Sequence, residues 1–278
     1  MKNETTNTDE IFEYALEIFR RISKIPRGSG NTKNASAFCV DFAVKNSLEN
    51  FCDEVGNVII RVPASEGYEK YSPVAIRGHL DMVAIRNENC KVDIVKDGIE
   101  LFEDDEYIKA VGSSLGGDDG IAIACGLALA KFRNEFSHPA FELVFTVDEE
   151  TGMEGAKVLD ASKLNSKMLI NVDSEEEGTL LVSCAGGVRA NSEILFEYEC
   201  EKNCICLHIY DFDGGHSGTE IDKGNRNAIK TVAELANVDG IRISSINGGS
   251  ADNAIPSECS VVFSASKTAV ELILARFE

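Results

Sequence analysis

The sequence predicts an α/β fold, a mixed and mainly parallel sheet flanked by helices, joined to a second, smaller α+β domain. Three observations carry that reading. Through residue 172, apolar strand-like runs alternate with segments of helical period, the pattern that builds layered parallel sheets. Three of those runs end in histidine or acidic residues. Near Gly186 the texture changes to strand-like segments with a helix among them. The expected domains are therefore 1–187 and 188–278.

The elements follow in order. Residues 9–23 place Ile11, Phe12, Ala15, Leu16, Phe19 and Ile22 on one helical face, and 33–47 repeat the pattern after the Gly-rich turn at 27–30. Strands follow at 56–62 and 74–78, then a charged stretch, 94–111, that resembles a hairpin. A Gly-Gly pair opens a helix over 118–133. Beyond it come a strand at 141–147, a short helix near Glu154 and a strand at 168–172. In the second domain the strands are 204–212, 240–247 and 259–265, with a helix over 225–236 and a final amphipathic helix over 268–277.

A chain of 278 residues is long enough to bury one or two cores. Its 27 Lys and Arg against 47 Asp and Glu leave a charge of −20, which repels phosphate backbones and anionic lipids and argues against nucleic acid and membrane partners. Gathered in a cleft, the same charge attracts cations. Nine cysteines without a paired framework point to a reducing compartment, and the polar, acidic start lacks the features of an export signal. The expected location is the cytoplasm. The longest apolar run, 121–130, is far short of the roughly 20 residues of a membrane span and reads as a buried helix.

Chemistry gathers where three apolar strands end. VAIRGHLD supplies His79 and Asp81, FELVFTVDEE supplies Glu149 and Glu150, and MLINVDSEE supplies Asp173. Ligands of α/β sheets bind beyond the carboxyl ends of strands, so these side chains are expected to share a crevice. His79 and Asp81, two apart on an extended segment, point the same way. Oxygen-rich sites with one histidine suit zinc or manganese, and adjacent glutamates allow one to ligate while the other handles protons. The blander readings are a loop hydrogen bond for His79 and Asp81, a helix cap with a first-turn acid for Asp118 and Asp119, and solvated faces for 148–150 and 174–177.

Other chemistries fit less well. Gly215-His216-Ser217-Gly218 resembles a nucleophile elbow, but Thr219 stands where that pattern needs glycine. Cys200, Cys204 and Cys206 match neither zinc nor ferredoxin spacings and read as core cysteines. No phosphate loop or dinucleotide fingerprint is present.

The segments GHLDMV (78–83), SSLGGDDGIAIA (113–124), VDEETGMEGA (147–156), INVDSEEEG (170–178), CAGG (184–187), GGHSG (214–218) and NAIP (253–256) occur in the order seen in bacterial aminoacyl-histidine dipeptidases. These are cytosolic nonspecific dipeptidases, relatives of carnosinase, carboxypeptidase G and acetylornithine deacetylase. The chain resembles that family from its first helix to its last residue.

The resemblance implies a zinc-exopeptidase-like catalytic domain with two Zn²⁺ ions, Mn²⁺ or Co²⁺ being alternatives, and a lid domain inserted into it. It implies a metallopeptidase that hydrolyses dipeptides, of Xaa-His type or broadly, with a homodimer as one assembly open to it. Carried over by position, His79 and Asp173 hold one zinc, Asp118 bridges, and Glu150 holds the other. Glu149 is the general base, Asp81 orients His79, His216 stabilises the oxyanion, and Asn253 lies in a substrate-recognition segment. A cis peptide between Asp118 and Asp119 is also implied. The rivals are an N-acyl amino acid deacylase of the same superfamily and a non-catalytic fragment.

Two departures stand out. Asp119 replaces the family's usual asparagine. The family also has a larger lid and a return to the catalytic domain carrying a last metal-binding histidine, and His138 and His208 match no ligand motif. A C-terminally truncated chain is expected, its own turnover in question, with the ion at His79, Asp118 and Asp173 the tighter of the two.

Overall fold

A computed structural model describes residues 8–88, 90–104, 106–174, 178–184, 186, 190–195, 203–218, 220–251 and 253–277. The chain divides into two compact units, Met1–Thr179 and Leu180–Glu278. The division expected between residues 187 and 188 falls outside the described residues.

The first unit begins with α1 (Thr8–Ser23) and α2 (Lys33–Lys45). The buried stripe of α1 runs through Ala15, Ile18, Phe19 and Ile22, and Phe12, expected on that face, is 60% exposed. Helical spacing explains the correction: Ile18 and Ile22 lie one turn apart on the core side, which rotates Phe12 outward. Next come β1 (Glu49–Cys52), β2 (Val58–Val62), β3 (Val74–His79), a hairpin of β4 (Leu101–Glu103) and β5 (Ile108–Ala110), and α3 (Gly117–Lys131). β6 (Phe141–Thr146), α4 (Glu154–Val158) and β7 (Met168–Asn171) complete it.

The main sheet has the order β1-β2-β6-β3-β7. β6, β3 and β7 are mutually parallel, and β2 is antiparallel to both β1 and β6, so four strands run one way and β2 alone opposes them. β6, near the middle, is buried along its whole length, whereas the edge strand β7 is exposed at every residue. Central strands covered on both faces read as continuous apolar runs, which is why β6 was conspicuous in the sequence. The helix α3 packs closely on β3 because of Gly78, where an added Cβ would lie 2.8 Å from Ala122 Cβ and 2.9 Å from Asp119 Oδ2.

The second unit is a three-stranded antiparallel sheet, β8 (Ile205–Ile209), β9 (Arg242–Gly248) and β10 (Cys259–Ser264), in the order β8-β10-β9. Two helices belong to it, α5 (Ala228–Ala236), capped by Asn227, and α6 (Lys267–Phe277). Ile209, Val232, Leu235, Val261, Phe263 and Ile273 form its core. Cys204 and Cys206, expected inside, are exposed; strand alternation sends Leu207 and Ile209 to the core and the two cysteines to the other face. Cys200 lies outside the described residues.

Candidate metal centre

Three parallel strands deliver the site. β3 pairs His79 with Thr146 of β6 on one side and Arg77 with Asn171 of β7 on the other, so the segments leaving all three strands emerge at one edge. Those are carboxyl ends, where α/β sheets place ligands.

His79, wholly buried, is the hub. Its Nε2 lies 2.7 Å from Asp118 Oδ1, its Nδ1 lies 3.1 Å from the Asp81 carbonyl and 3.4 Å from Asp81 Oδ1, and its backbone N–H donates to Asp119 Oδ2 at 3.0 Å. Around it stand two groups able to hold an ion, His79 with Glu149 and Asp173, and His79 with Asp118 and Glu150. Within each group the ligand atoms lie within 4.8 Å of one another. The geometry thus brings together His79, Asp118, Glu149, Glu150 and Asp173, and it sets Glu149, expected as a base, beside Asp173.

The aspartates at the start of α3 do not cap it. Its N-cap is Gly116, at φ 66°, and Asp118 and Asp119 have non-helical backbone angles. The peptide between them is cis, as the resemblance implied. Their carboxylates turn to His79 instead.

Asp81 is buried and ties the other elements together. Its Oδ1 accepts the N–H of Glu149 at 3.0 Å, and its Oδ2 accepts the N–H of Glu150 at 3.2 Å and the Ser29 hydroxyl at 2.8 Å. Sequence reasoning gave Asp81 only the imidazole. It missed two arginines. Arg27, 1% exposed, donates from Nη1 to the carbonyls of Leu80 at 3.2 Å and Asp81 at 2.9 Å, and from Nη2 to the carbonyl of Gly116. Arg77 donates to Asp173 Oδ2 at 2.7 Å.

The electrostatics are those of a centre short of positive charge. Burial raises Glu149, with nearby Asp173 adding to it, and raises Glu150, with Asp118 adding to it. Burial likewise raises Asp119, to about 7. Burial alone would lower His79, but hydrogen bonds to Asp81 and Asp118 outweigh it and lift the imidazole to about 9. For Asp81 burial acts upward, and its bonds to His79, Glu149 and Ser29 overcome it and hold the carboxyl near 2. One imidazole and four converging carboxylates, two of them pushed up by burial among like charges, are a donor set that fits divalent cations.

His216 and Asn253 lie in the second unit, on segments that pair with each other: the Ser217 N–H donates to the Asn253 carbonyl at 2.8 Å, and residues 216 and 254 form a β-bridge. Both are exposed. Thr219 and residues 175–177 lie outside the described residues. His138, buried in the first unit, has its ring nitrogens 2.8 Å from the Pro139 carbonyl and 2.9 Å from the Arg133 carbonyl and stands in neither ligand group. Among the described residues no helix is long and apolar enough to cross a membrane.

Residues 75–263 match the model of peptidase family M20/M25/M40. The chain is 35% identical over 264 residues to the cytosol non-specific dipeptidase of Escherichia coli K12, covering 92% of this chain and 54% of that protein. It also resembles the crystal structure of an aminoacylhistidine dipeptidase from Vibrio alginolyticus, with a TM-score of 0.72 and 32% identity over 94% of this chain and 55% of that one. The aminopeptidase PepT structure from Bacillus cereus shares the fold at a TM-score of 0.55 and 19% identity, over 96% of this chain and 71% of that one. The chain thus spans about half the length of the two dipeptidases it matches.

Proposed function

The chain belongs to peptidase family M20/M25/M40, and from that premise we propose that it serves a metal-dependent dipeptidase acting on small peptides in the cytoplasm. The observation that carries the proposal is the meeting of His79, Asp118, Glu149, Glu150 and Asp173 beyond the ends of β3, β6 and β7. His79, Asp118, Glu150 and Asp173 hold the ions, for which zinc is the first choice and manganese or cobalt suits the same donors. When bound, such ions polarise the scissile carbonyl and make water acidic enough to attack at neutral pH.

The chain's own residues do the rest. Glu149, held by Asp81 through its backbone, takes a proton from the attacking water and passes it to the leaving amine. A base whose pKa is raised by burial is better matched to neutral pH than an ordinary carboxylate. Asp81 fixes the imidazole of His79. His216 stabilises the oxyanion and Asn253 contributes to substrate recognition in this proposal, the roles that the resemblance implies.

The test is a panel of dipeptides, Xaa-His and others, set against N-acyl amino acids, with the metal-stripped chain reloaded with zinc or manganese. Release of free amino acids from dipeptides in preference to acylated substrates is expected. Preference for N-acyl amino acids would overturn the substrate class, and failure to cleave either in the loaded state would overturn the activity.

A further inference from the structure

Arg27 is a cation buried among the elements that carry the candidate ligands. It stands on the segment between α1 and α2, far in sequence from the end of β3 and the start of α3. Its Nη1 donates to the carbonyls of Leu80 and Asp81, directly after His79, and its Nη2 donates to the carbonyl of Gly116, two residues before Asp118. One guanidinium therefore spans the two segments whose side chains meet where His79 Nε2 lies 2.7 Å from Asp118 Oδ1. The chain leaves room for it. An added Cβ would lie 2.6 Å from Nη2 at Gly116 and 2.5 Å from it at Gly120, so the entry to α3 is shaped around this nitrogen.

We propose that Arg27 is a positioning residue for the metal centre, its planar fork setting the spacing between the imidazole of His79 and the carboxylate of Asp118 at which both can ligate. The inference rests on the metallopeptidase reading above. Two shared oxygens make the coupling. The Asp81 carbonyl that receives Nη1 at 2.9 Å also lies 3.1 Å from His79 Nδ1. A ligating imidazole keeps its proton on the nitrogen away from the ion, and the partner of that nitrogen sets the orientation of the ring. The Gly116 carbonyl that receives Nη2 also accepts the Gly120 N–H at 3.2 Å, so the same oxygen anchors the stretch in which Asp118 and Asp119 leave helical geometry and turn to His79. Arg27 thus acts through backbone oxygens, as a strut. Its charge works against that role: burial lowers its pKa, against the pull of Asp81, Asp119 and Asp118, but only to about 10, and a cation repels an incoming divalent ion. A variant that keeps the charge and loses the fork therefore isolates the strut.

Calorimetric titration of the metal-stripped full chain with zinc chloride tests this without any activity readout, and cobalt chloride serves as a second probe, its visible absorption reporting the shape of the ligand set. In Arg27→Lys a point charge on a single nitrogen replaces the fork. The variant, shown folded by circular dichroism and cooperative urea unfolding, should bind zinc about 10-fold or more weakly than the unsubstituted chain, the scale on which partners behind metal ligands act. Its cobalt bands should move as well. Zinc affinity within about threefold of the unsubstituted chain would overturn the inference. Weaker uptake with unchanged cobalt bands would also overturn it, by assigning the loss to general stability. Either result leaves the metal site standing, whereas no zinc uptake by the unsubstituted chain would overturn the metallopeptidase reading and this inference with it. If Arg27→Lys does not fold, Arg27→Gln decides on the cobalt bands, which follow ligand geometry: altered bands support the strut, and bands like those of the unsubstituted chain overturn it.

Discussion

The carboxylate of Asp81 accepts the backbone N–H of Glu149 at 3.0 Å, so the residue that steadies the imidazole also sets where the proton carrier stands. The adjoining bond to the Glu150 N–H extends that control to a candidate ligand. Asp81→Ala is expected to lower zinc affinity by about 10- to 100-fold, the usual effect of removing a partner behind a metal ligand. Calorimetry on chains matched by circular dichroism measures it. An unchanged affinity would mean that the loop and ring hold their places without the carboxylate.

Glu149→Gln separates proton carrier from ligand. Zinc uptake should stay within about threefold of the unsubstituted chain while dipeptide turnover falls by about 100-fold or more, the range lost with a general base. Loss of an ion from the stoichiometry would instead assign Glu149 to the ligand set, where its place beside His79 and Asp173 would allow it to serve.

The ligand-bearing ends of β3, β6 and β7 were legible because each closes an apolar run with a polar residue, and such an interruption stands out against the run. The arginines were not. Arg77 looks like a solvent-facing position of a half-buried strand, and only its two-residue spacing from His79 hints that both face the site. Arg27, between Pro26 and Gly28, reads as a charged turn, yet it is buried, with its two terminal nitrogens donating to carbonyl oxygens that the chain brings from residues 80, 81 and 116. β1 escaped notice since Glu-Asn-Phe-Cys has little apolar content and pairs at the sheet edge. Such partners come from distant sequence, beyond any local pattern.

Gly120 sets helix propensity against packing. Alanine in a helix is favoured over glycine by about 1 kcal/mol. Here, however, the added Cβ would lie 2.5 Å from Arg27 Nη2 and 3.1 Å from Phe19 Cε2, and that guanidinium is held by its bonds to three carbonyls. Overpacking of this kind costs about 1–3 kcal/mol, so Gly120→Ala should destabilise the chain by about 1–2 kcal/mol in urea unfolding. Net stabilisation would show that Arg27 can withdraw without loss.

Glu142 offers a test of pH dependence remote from the metal ligands. Its side chain is 3% exposed, and its carboxylate accepts the N–H of Ser166 at 2.8 Å, the Ser166 hydroxyl at 2.6 Å, the N–H of Asn165 at 3.0 Å and Arg61 Nε at 3.2 Å. Burial alone would raise its pKa; the bonds from Ser166, Asn165 and Arg61 together outweigh burial and set it below the ordinary value near 4.5. A group whose pKa is depressed by folding contributes stability that is complete above the unfolded value and is lost as pH falls through the folded one. Replacing it by glutamine removes that titration along with the charge-assisted bonds. Glu142→Gln should therefore be less stable than the unsubstituted chain by about 1.5–3 kcal/mol at pH 7, the usual worth of a buried hydrogen bond to a charged group. The gap should narrow as pH drops below about 4.5, because only the unsubstituted chain must then protonate this carboxylate. Urea unfolding at pH 7, 5 and 4 reads the difference directly. A gap that stays constant down to pH 4 would trace the loss to the shape of the glutamine amide, which places an N–H₂ where an acceptor is needed, and would remove Glu142's charge from the account of stability.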